Sequence, residues 1–235
     1  MTPARPTVSV VVPVLDDAEH LRVCLALLAA QSRPALEVVV VDNGCVDDSA
    51  VLARAAGARV VHEPRRGVPA AAAAGLDAAV GELLVRCDAD TRMPADWLER
   101  IVARFDADPG LDALTGPGTF HDQPGLRGRV RAALYTGAYR WGAGAAVAAT
   151  PVWGSNCALR AEAWQAVRTR VHRERGDVHD DLDLSFQLAL AGRRIRFDPD
   201  LRVEVAGRIF HSLRQRVRQG RICLLYTSDA ADEGL

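Results

Sequence analysis

The sequence predicts an α/β fold: a mostly parallel sheet flanked by helices. Two observations carry this. Short apolar runs alternate with helical repeats of about 10–15 residues, the pattern of strand–helix–strand units joined by right-handed crossovers. Acidic residues (Asp16, Asp17, Asp42, Asp88 and Asp90) gather just past the predicted strands, at the rim where open α/β sheets bind ligands.

Val8 to Val14 is a nearly continuous apolar run reaching Pro13, as expected of a parallel strand buried on both faces. Asp16 and Asp17 can cap the next helix, where Leu21, Leu25 and Leu28 recur at helical spacing. Glu37 to Val41 reads as the second strand and ends at Asp42-Asn43-Gly44. Asp47-Asp48 opens a helix to about Ala56, and Arg59 to His62 is a short third strand. Val68 to Val80 is an Ala-rich helix, and Glu82 to Cys87 the fourth strand. Pro94 suits the first turn of a helix through Trp97, Ile101 and Phe105.

The pattern loosens after about residue 110. Leu111 to Thr115 reads as a strand and Gly116-Pro117-Gly118 as a turn. Residues 125–149 are mostly helical and carry Tyr135, Tyr139 and Trp141; the two tyrosines sit at core spacing. Asn156 to Leu159 is a short strand before a helix at 161–167. Asp180 opens a helix through Leu184 and Leu188 that stops at Gly192. Short strands follow at 194–197 and 201–205, and then a basic segment from Arg208 to Arg221. No repeat or linker interrupts this order. The expectation is one domain over residues 1–222, in halves of about 7–110 and 111–222.

Composition excludes some functions. A formal charge of −1 lacks the basic footprint of a nucleic-acid binder. The basic residues are all arginine, a compositional bias shared with the Ala-rich stretches. The five cysteines form no Cys-x-x-Cys pair and are odd in number, so reduced thiols and a cytoplasmic setting are expected. No apolar run is long enough to span a membrane. The Arg208–Arg221 segment is expected as a solvated helix face, with peripheral contact at the inner face of a membrane as the sharper alternative.

Residues Cys223 to Glu233 resemble the translation of a transposase-type sequencing adapter, and residues 223–235 are therefore expected to be a non-native tail. Without Asp229, Asp232 and Glu233 the acidic residues number 27 against 29 basic ones, a charge of +2. On this reading the natural chain continues past Ile222.

Chemistry centres on Asp88-Ala89-Asp90, behind the apolar run Leu83-Leu84-Val85. Carboxylates two residues apart on an extended backbone face the same way. Mg²⁺ and Mn²⁺ are commonly held by one or two carboxylates plus substrate phosphates, so the pair suggests a phosphate-bearing substrate. A solvated turn is the plain alternative. No Gly-x-Gly-x-x-Gly follows the first strand and no phosphate loop is present. Phosphates would then need a metal or arginines to neutralise them.

The motifs in order resemble family 2 glycosyltransferases of GT-A fold, with a Rossmann-like sheet and an acceptor-side second half. The resemblance covers about residues 7–206. It rests on Val8-Ser9-Val10-Val11-Val12-Pro13, Val39-Val40-Val41-Asp42-Asn43-Gly44, Arg66-Gly67 with Gly75, Gly81-Glu82 and Asp88-Ala89-Asp90. Further on, Trp153-Gly154-Ser155-Asn156 matches the acceptor-side segment. His179-Asp180-Asp181-Leu182-Asp183-Leu184 matches the Glu-Asp base motif with Asp for Glu.

The resemblance implies that Pro13, Val14, Leu15, Asp17 and Asp42 line the base and ribose pocket, with Arg66 and Asp88 also on the nucleotide side. It implies that Asp90, with Asp88, binds a divalent metal (Mg²⁺ or Mn²⁺) on the diphosphate. Asp181 would be the general base. Trp153, Gly154, Asn156 and Asp180 would serve the acceptor side. The implied reaction is inverting transfer from a nucleotide-sugar to the hydroxyl of a carbohydrate, lipid-linked or small-molecule acceptor, as in cell-envelope polysaccharide synthesis.

Three departures stand out. Ala72-Ala73 replaces an Arg-Asn pair, Leu15 replaces an aromatic, and Gln215–Gln219 lacks the Trp of processive members. The missing Trp favours a non-processive enzyme. The lost Arg-Asn pair and the absent aromatic keep open a non-catalytic nucleotide-sugar binding module, and the truncated end keeps open an inactive fragment of such an enzyme.

Overall fold

A computed structural model of the chain describes residues 5–146, 149–174 and 178–207. Strands β1 (Val8–Val14), β2 (Glu37–Asp42), β3 (Arg59–His62) and β4 (Leu83–Arg86) are parallel, with β1 between β2 and β4. β5 (Ala113–Thr115), β7 (Cys157–Arg160) and β8 (Ile195–Phe197) extend the same sheet to the order β3-β2-β1-β4-β7-β5-β8. Only β7 runs against its neighbours. β6 (Gly118–Phe120) and β9 (Val203–Val205) form a small parallel pair beside it. One sheet thus takes strands from both halves of the sequence.

Strand periodicity builds a core on each face. Val10, Val12 and Val14 point one way and meet Leu21, Leu25 and Leu28 of α1 (Ala18–Ala29). The same face takes Trp97, Ile101 and Phe105 of α4 (Trp97–Ala107). Val11, Val39 and Val41 point the other way, towards Ala71, Ala73 and Leu76 of α3 (Val68–Ala78). Trp164 of α7 (Ala161–Val167) and Leu184 and Leu188 of α8 (Asp180–Leu190) complete that side. Each buried valine or leucine contributes about 1.5–3 kcal/mol. Ala72 and Ala73, which stand where the resembled family often has Arg-Asn, are both buried, Ala73 within this layer.

Local readings are corrected at four places. Asp17 makes no capping bond to α1; the Ala18 N–H instead donates to Asp47 Oδ2 at 2.9 Å, a cap supplied by the loop before α2 (Ser49–Ala55). Pro94 precedes α4: its carbonyl accepts the Trp97 N–H at 3.1 Å, making the turn into the helix. The Gly116–Gly118 turn gives way to β6 at Gly118, where the missing side chain leaves room for the Trp153 indole. The long helix breaks: α5 (Gly125–Ala138) runs into a π-helical turn, Tyr139–Ala143, and then α6 (Gly144–Ala146). The basic segment 208–221, with Gln215–Gln219, and the tail 223–235 lie outside the described residues. The four described cysteines are free thiols, and Cys24 and Cys87 pack sulfur to sulfur at 4.0 Å.

Candidate functional site

The carboxyl ends of β1 and β4 and the start of α8 enclose a cavity of about 450 Å³. Of the sequence-predicted residues, Pro13, Val14, Leu15, Asp17, Asp88, Asp90, Trp153, Asp180 and Asp181 line it. Asp42, Arg66, Gly154 and Asn156 stand behind its wall or at its rim.

On the β1–β2 side the loops lock one another. Asp42 Oδ1 accepts the N–H groups of Gly44 and Cys45 at 3.1 and 2.8 Å. Burial acts to raise its pKa, but these donors and His62 outweigh it and hold the carboxyl below the usual range. Asp42 therefore shapes the turn and reaches the cavity only through its neighbour. That neighbour, Asn43, is buried and lines the cavity. Its amide donates to the carbonyls of Glu63 and Arg65, and its oxygen accepts the Gly67 N–H at 2.7 Å. Asp16 adopts φ +51°, a left-handed conformation that Asp tolerates better than most residues. The Val46 N–H, donating to Asp16 Oδ1 at 2.7 Å, holds it there. Arg66 is exposed at the rim, 3.7 Å from Asp16.

The floor is an ionic knot around Arg86, the last residue of β4. The residue is buried, only 4% exposed. Nη1 donates to Asp180 Oδ2 at 2.5 Å and to Asp181 Oδ1 at 3.0 Å, and Nη2 lies 3.6 Å from Asp88 Oδ1. Burial opposes the charge, yet these carboxylates raise the Arg86 pKa further. Its Nε has no partner among the described residues. Asp88 also accepts a short hydrogen bond from the Ser155 hydroxyl.

Asp181 is pushed up to about 6 by burial and then by the neighbouring Asp180 charge, against the pull of Arg86, His179 and the Gly154 N–H. Asp180 goes the other way: Arg86 and His179 overcome its burial and hold it low. Gly154 must be glycine, because a Cβ there would collide with the Asp181 carboxylate and the Arg86 guanidinium.

Asn156 is fully buried. Its Oδ1 accepts the Trp97 Nε1–H at 3.0 Å and its Nδ2 donates to the Leu201 carbonyl at 2.6 Å. It ties α4 to the segment leading into β9, beneath the cavity. The opposite wall is aromatic, formed by Phe120, Tyr135 and Trp153.

The donor set fits a divalent cation. Asp88, Asp90, Asp180 and Asp181 face one cavity, and Arg86 offsets one charge of the four. Ligand atoms of His179, Asp180 and Asp181 lie within 4.8 Å of one another, and the buried His179 Nδ1 has no hydrogen-bond partner among the described residues. Carboxylate oxygens suit Mg²⁺ and Mn²⁺. A second group, Asp16, Cys45 and Asp47, lies at the rim, where Asp16 and Asp47 accept the loop bonds already given and the Cys45 thiol donates to the Val14 carbonyl at 3.4 Å.

Sequence reasoning missed Arg86, Asn43 and Tyr135 as cavity residues. A signal existed for Arg86: a lone charge closing the apolar strand Leu83-Leu84-Val85 needs buried partners. Tyr135, at core spacing in the sequence, packs against the Phe120 ring with centroids 5.9 Å apart and also faces the cavity.

The sequence matches the profile of Glycosyl transferase family 2 over residues 9–176. An uncharacterized glycosyltransferase of Mycobacterium tuberculosis is 41% identical over 113 residues, 48% of this chain and 49% of that protein. Glycosyltransferase AglE of Haloferax volcanii is 32% identical over 124 residues, 49% of this chain and 40% of its own. The chain thus spans about half the length, or less, of the curated relatives it matches. The mannosyltransferase PcManGT of Pyrobaculum calidifontis, solved with GDP-Man and Mn²⁺, superposes with TM-score 0.74 at 25% identity, covering 99% of this chain and 66% of that one. With the profile running from the first strand to the loop before α8, and the superposition running through the whole sheet, the chain belongs to glycosyl transferase family 2 and has its GT-A fold.

Proposed function

We propose that this chain is a metal-assisted, inverting, non-processive glycosyltransferase that moves a sugar from a nucleoside diphosphate to an acceptor hydroxyl. The observation that carries the reading is the pairing of Asp88 and Asp90 with the raised-pKa Asp181 around one cavity. Family membership and the likeness to a mannosyltransferase that binds GDP-Man and Mn²⁺ support it.

The nucleotide lies along Pro13, Val14, Leu15 and Asp17, over the loop fixed by Asn43, with Arg66 at the rim. Asp88 is oriented by Ser155 and Arg86 towards the ribose and phosphates. Asp90 and Asp88 would hold the divalent cation, which neutralises charge gathering on the departing diphosphate when bound.

Asp181 is the general base. A carboxyl with pKa near 6 is mostly ionised at neutral pH and still a useful proton acceptor. It takes the acceptor hydroxyl proton as that oxygen bonds to the anomeric carbon. The bond from that carbon to the diphosphate oxygen breaks, and its electron pair leaves with the diphosphate. Attack opposite the leaving group inverts the centre. Trp153 offers a ring face for a sugar, and Gly154 and Asp180 fix the base from behind.

The test is a nucleotide-sugar panel with Mn²⁺ or Mg²⁺ and a range of hydroxyl acceptors. Release of nucleoside diphosphate should require the metal, and the product's anomeric proton should report inversion by NMR. Retention of configuration, or full turnover by Asp90→Asn, would overturn these roles. Tight donor binding with no transfer to any acceptor would favour the binding module.

A further inference from the structure

We propose that the outer face of α5, continued by Trp141, is a docking surface for an anionic lipid bilayer. The proposal goes beyond glycosyl transfer and does not depend on it.

The inner face of α5 is used by the fold: Gly128 and Ala132 are buried, and Tyr135 turns towards the cavity. The outer face is apolar where a soluble helix is normally polar. Leu126 is 74% exposed, Val130 50%, Leu134 68%, and Trp141 on the following turn 73%. At roughly 100° per residue, Leu126, Val130 and Leu134 span an arc of about 80°. Arg127 and Arg131 border the stripe on one side, and Arg129 and Arg140 on the other. Residues 125–150 contain no Asp or Glu. Arg131 Nη1 donates to the side-chain Oε1 of Gln123 at 3.3 Å, and Arg140 stacks on the Trp141 and Phe197 rings at 5.1 and 4.5 Å. None of the four forms an ion pair among the described residues. An apolar depression beside the stripe, lined by Pro117, Phe197 and Pro199 with Arg202, continues the surface.

Charge selects the occupant. A second copy would bring arginine rows face to face. Residues 208–222 carry five arginines and no acid, so they too are repelled. An anionic bilayer satisfies both features: headgroups take the guanidinium ends, and the acyl boundary takes Leu126, Val130, Leu134 and Trp141. No helix among the described residues is long and apolar enough to cross a membrane, and none is needed for a face that lies in its surface. Docked so, the chain would lay the Tyr135 wall of the cavity alongside the membrane.

Sedimentation of the full chain with phosphatidylglycerol–phosphatidylcholine vesicles tests this, with pure phosphatidylcholine as control. Binding is expected on the anionic vesicles only and should weaken steeply with salt. Trp141 emission should move to the blue, and Trp141→Phe should abolish that shift. Leu126→Asn with Leu134→Asn, or Arg127→Gln with Arg131→Gln, should each cut vesicle affinity roughly tenfold. These side chains are exposed, so the variants should melt like the parent. Equal binding to neutral vesicles, no binding, or undiminished binding by both variants would overturn the proposal, the last pointing to residues 208–222. Concentration-dependent dimers broken by the leucine variant would overturn it in favour of a second copy.

Discussion

The two walls of the cavity are built by different means. On the β1–β4 side, the sheet does the placing. Val10 to Val12 are fully buried, the parallel register is continuous, and the rim residues Asp17, Asp42 and Asp88 simply follow where strands end. On the β7–α8 side the strands are three or four residues long, and side-chain contacts do the placing. Arg86 reaches from β4 to the first turn of α8, and Asn156 reaches from beneath the cavity to Trp97 and Leu201. A backbone-placed wall should tolerate loss of one side chain. A side-chain-placed wall should not.

The largest expected effect falls on the second wall. Asp181→Asn keeps the shape of the side chain but cannot take a proton, and should lower turnover by ~10²–10⁴ with donor binding retained. In the parent, activity should rise as pH increases through about 6, where Asp181 ionises. The stability sign is opposite. A raised folded pKa means that the folded state binds this proton more tightly than the unfolded state, so the Asp181 contribution is fully present below the ordinary value of 3.8 and is lost as pH rises through about 6. A flat rate profile between pH 5 and pH 7 would remove Asp181 as the base.

Arg86→Met should follow, through stability. It removes the buried cation shared by Asp180 and Asp181, and stranding buried charges costs about 3–5 kcal/mol. Denaturant unfolding at neutral pH should show the loss. The deficit should shrink in mild acid, where the freed carboxyls can take protons. An equal deficit at both pH values would mean that Arg86 matters by packing, not charge.

How much of this could be read from the sequence follows the same division. β1 to β4 and their rim acids were legible because apolar runs and period-two alternation are local signals. Asp88 and Asp90 needed only the strand before them. The lone charge of Arg86 at the end of an apolar strand signals buried partners but not which ones, because two of the three lie far along the chain at positions 180 and 181. β6 was hidden because Gly-Pro-Gly reads as a turn until the Trp153 indole fills the space over Gly118. Asn156 was legible as a motif residue, but its partners, 59 and 45 residues away, decide its role.

Asn156→Ala sharpens that last point. The Trp97 Nε1–H and the Leu201 carbonyl would both lose a buried partner, at about 1–3 kcal/mol. The melting midpoint should fall while the acceptor KM of the folded fraction stays put. A raised KM at unchanged stability would return Asn156 to the acceptor side.

The smallest effect tests the claim that the first wall is tolerant. Asp47 accepts the Ala18 N–H through Oδ2 and the Ser49 N–H through Oδ1, joining the loop after β1 to the loop after β2. Ser49 Oγ in turn accepts the Asp17 N–H at 3.3 Å. The Ser49 hydroxyl first, and these backbone donors, hold the Asp47 pKa below the ordinary carboxylate value despite a small opposing effect of burial. The cap is therefore present above the unfolded pKa and is lost as pH falls through the depressed one. Asp47→Ala should cost about 1 kcal/mol, as other caps do. The buried strands below do not depend on it, so the loss should stay local: a small drop in melting temperature, and weaker donor binding because Leu15 and Asp17 ride on the loosened loop. If Asp47→Ala instead destabilises the chain as much as Arg86→Met, the rim is part of the framework and the contrast between the two walls fails.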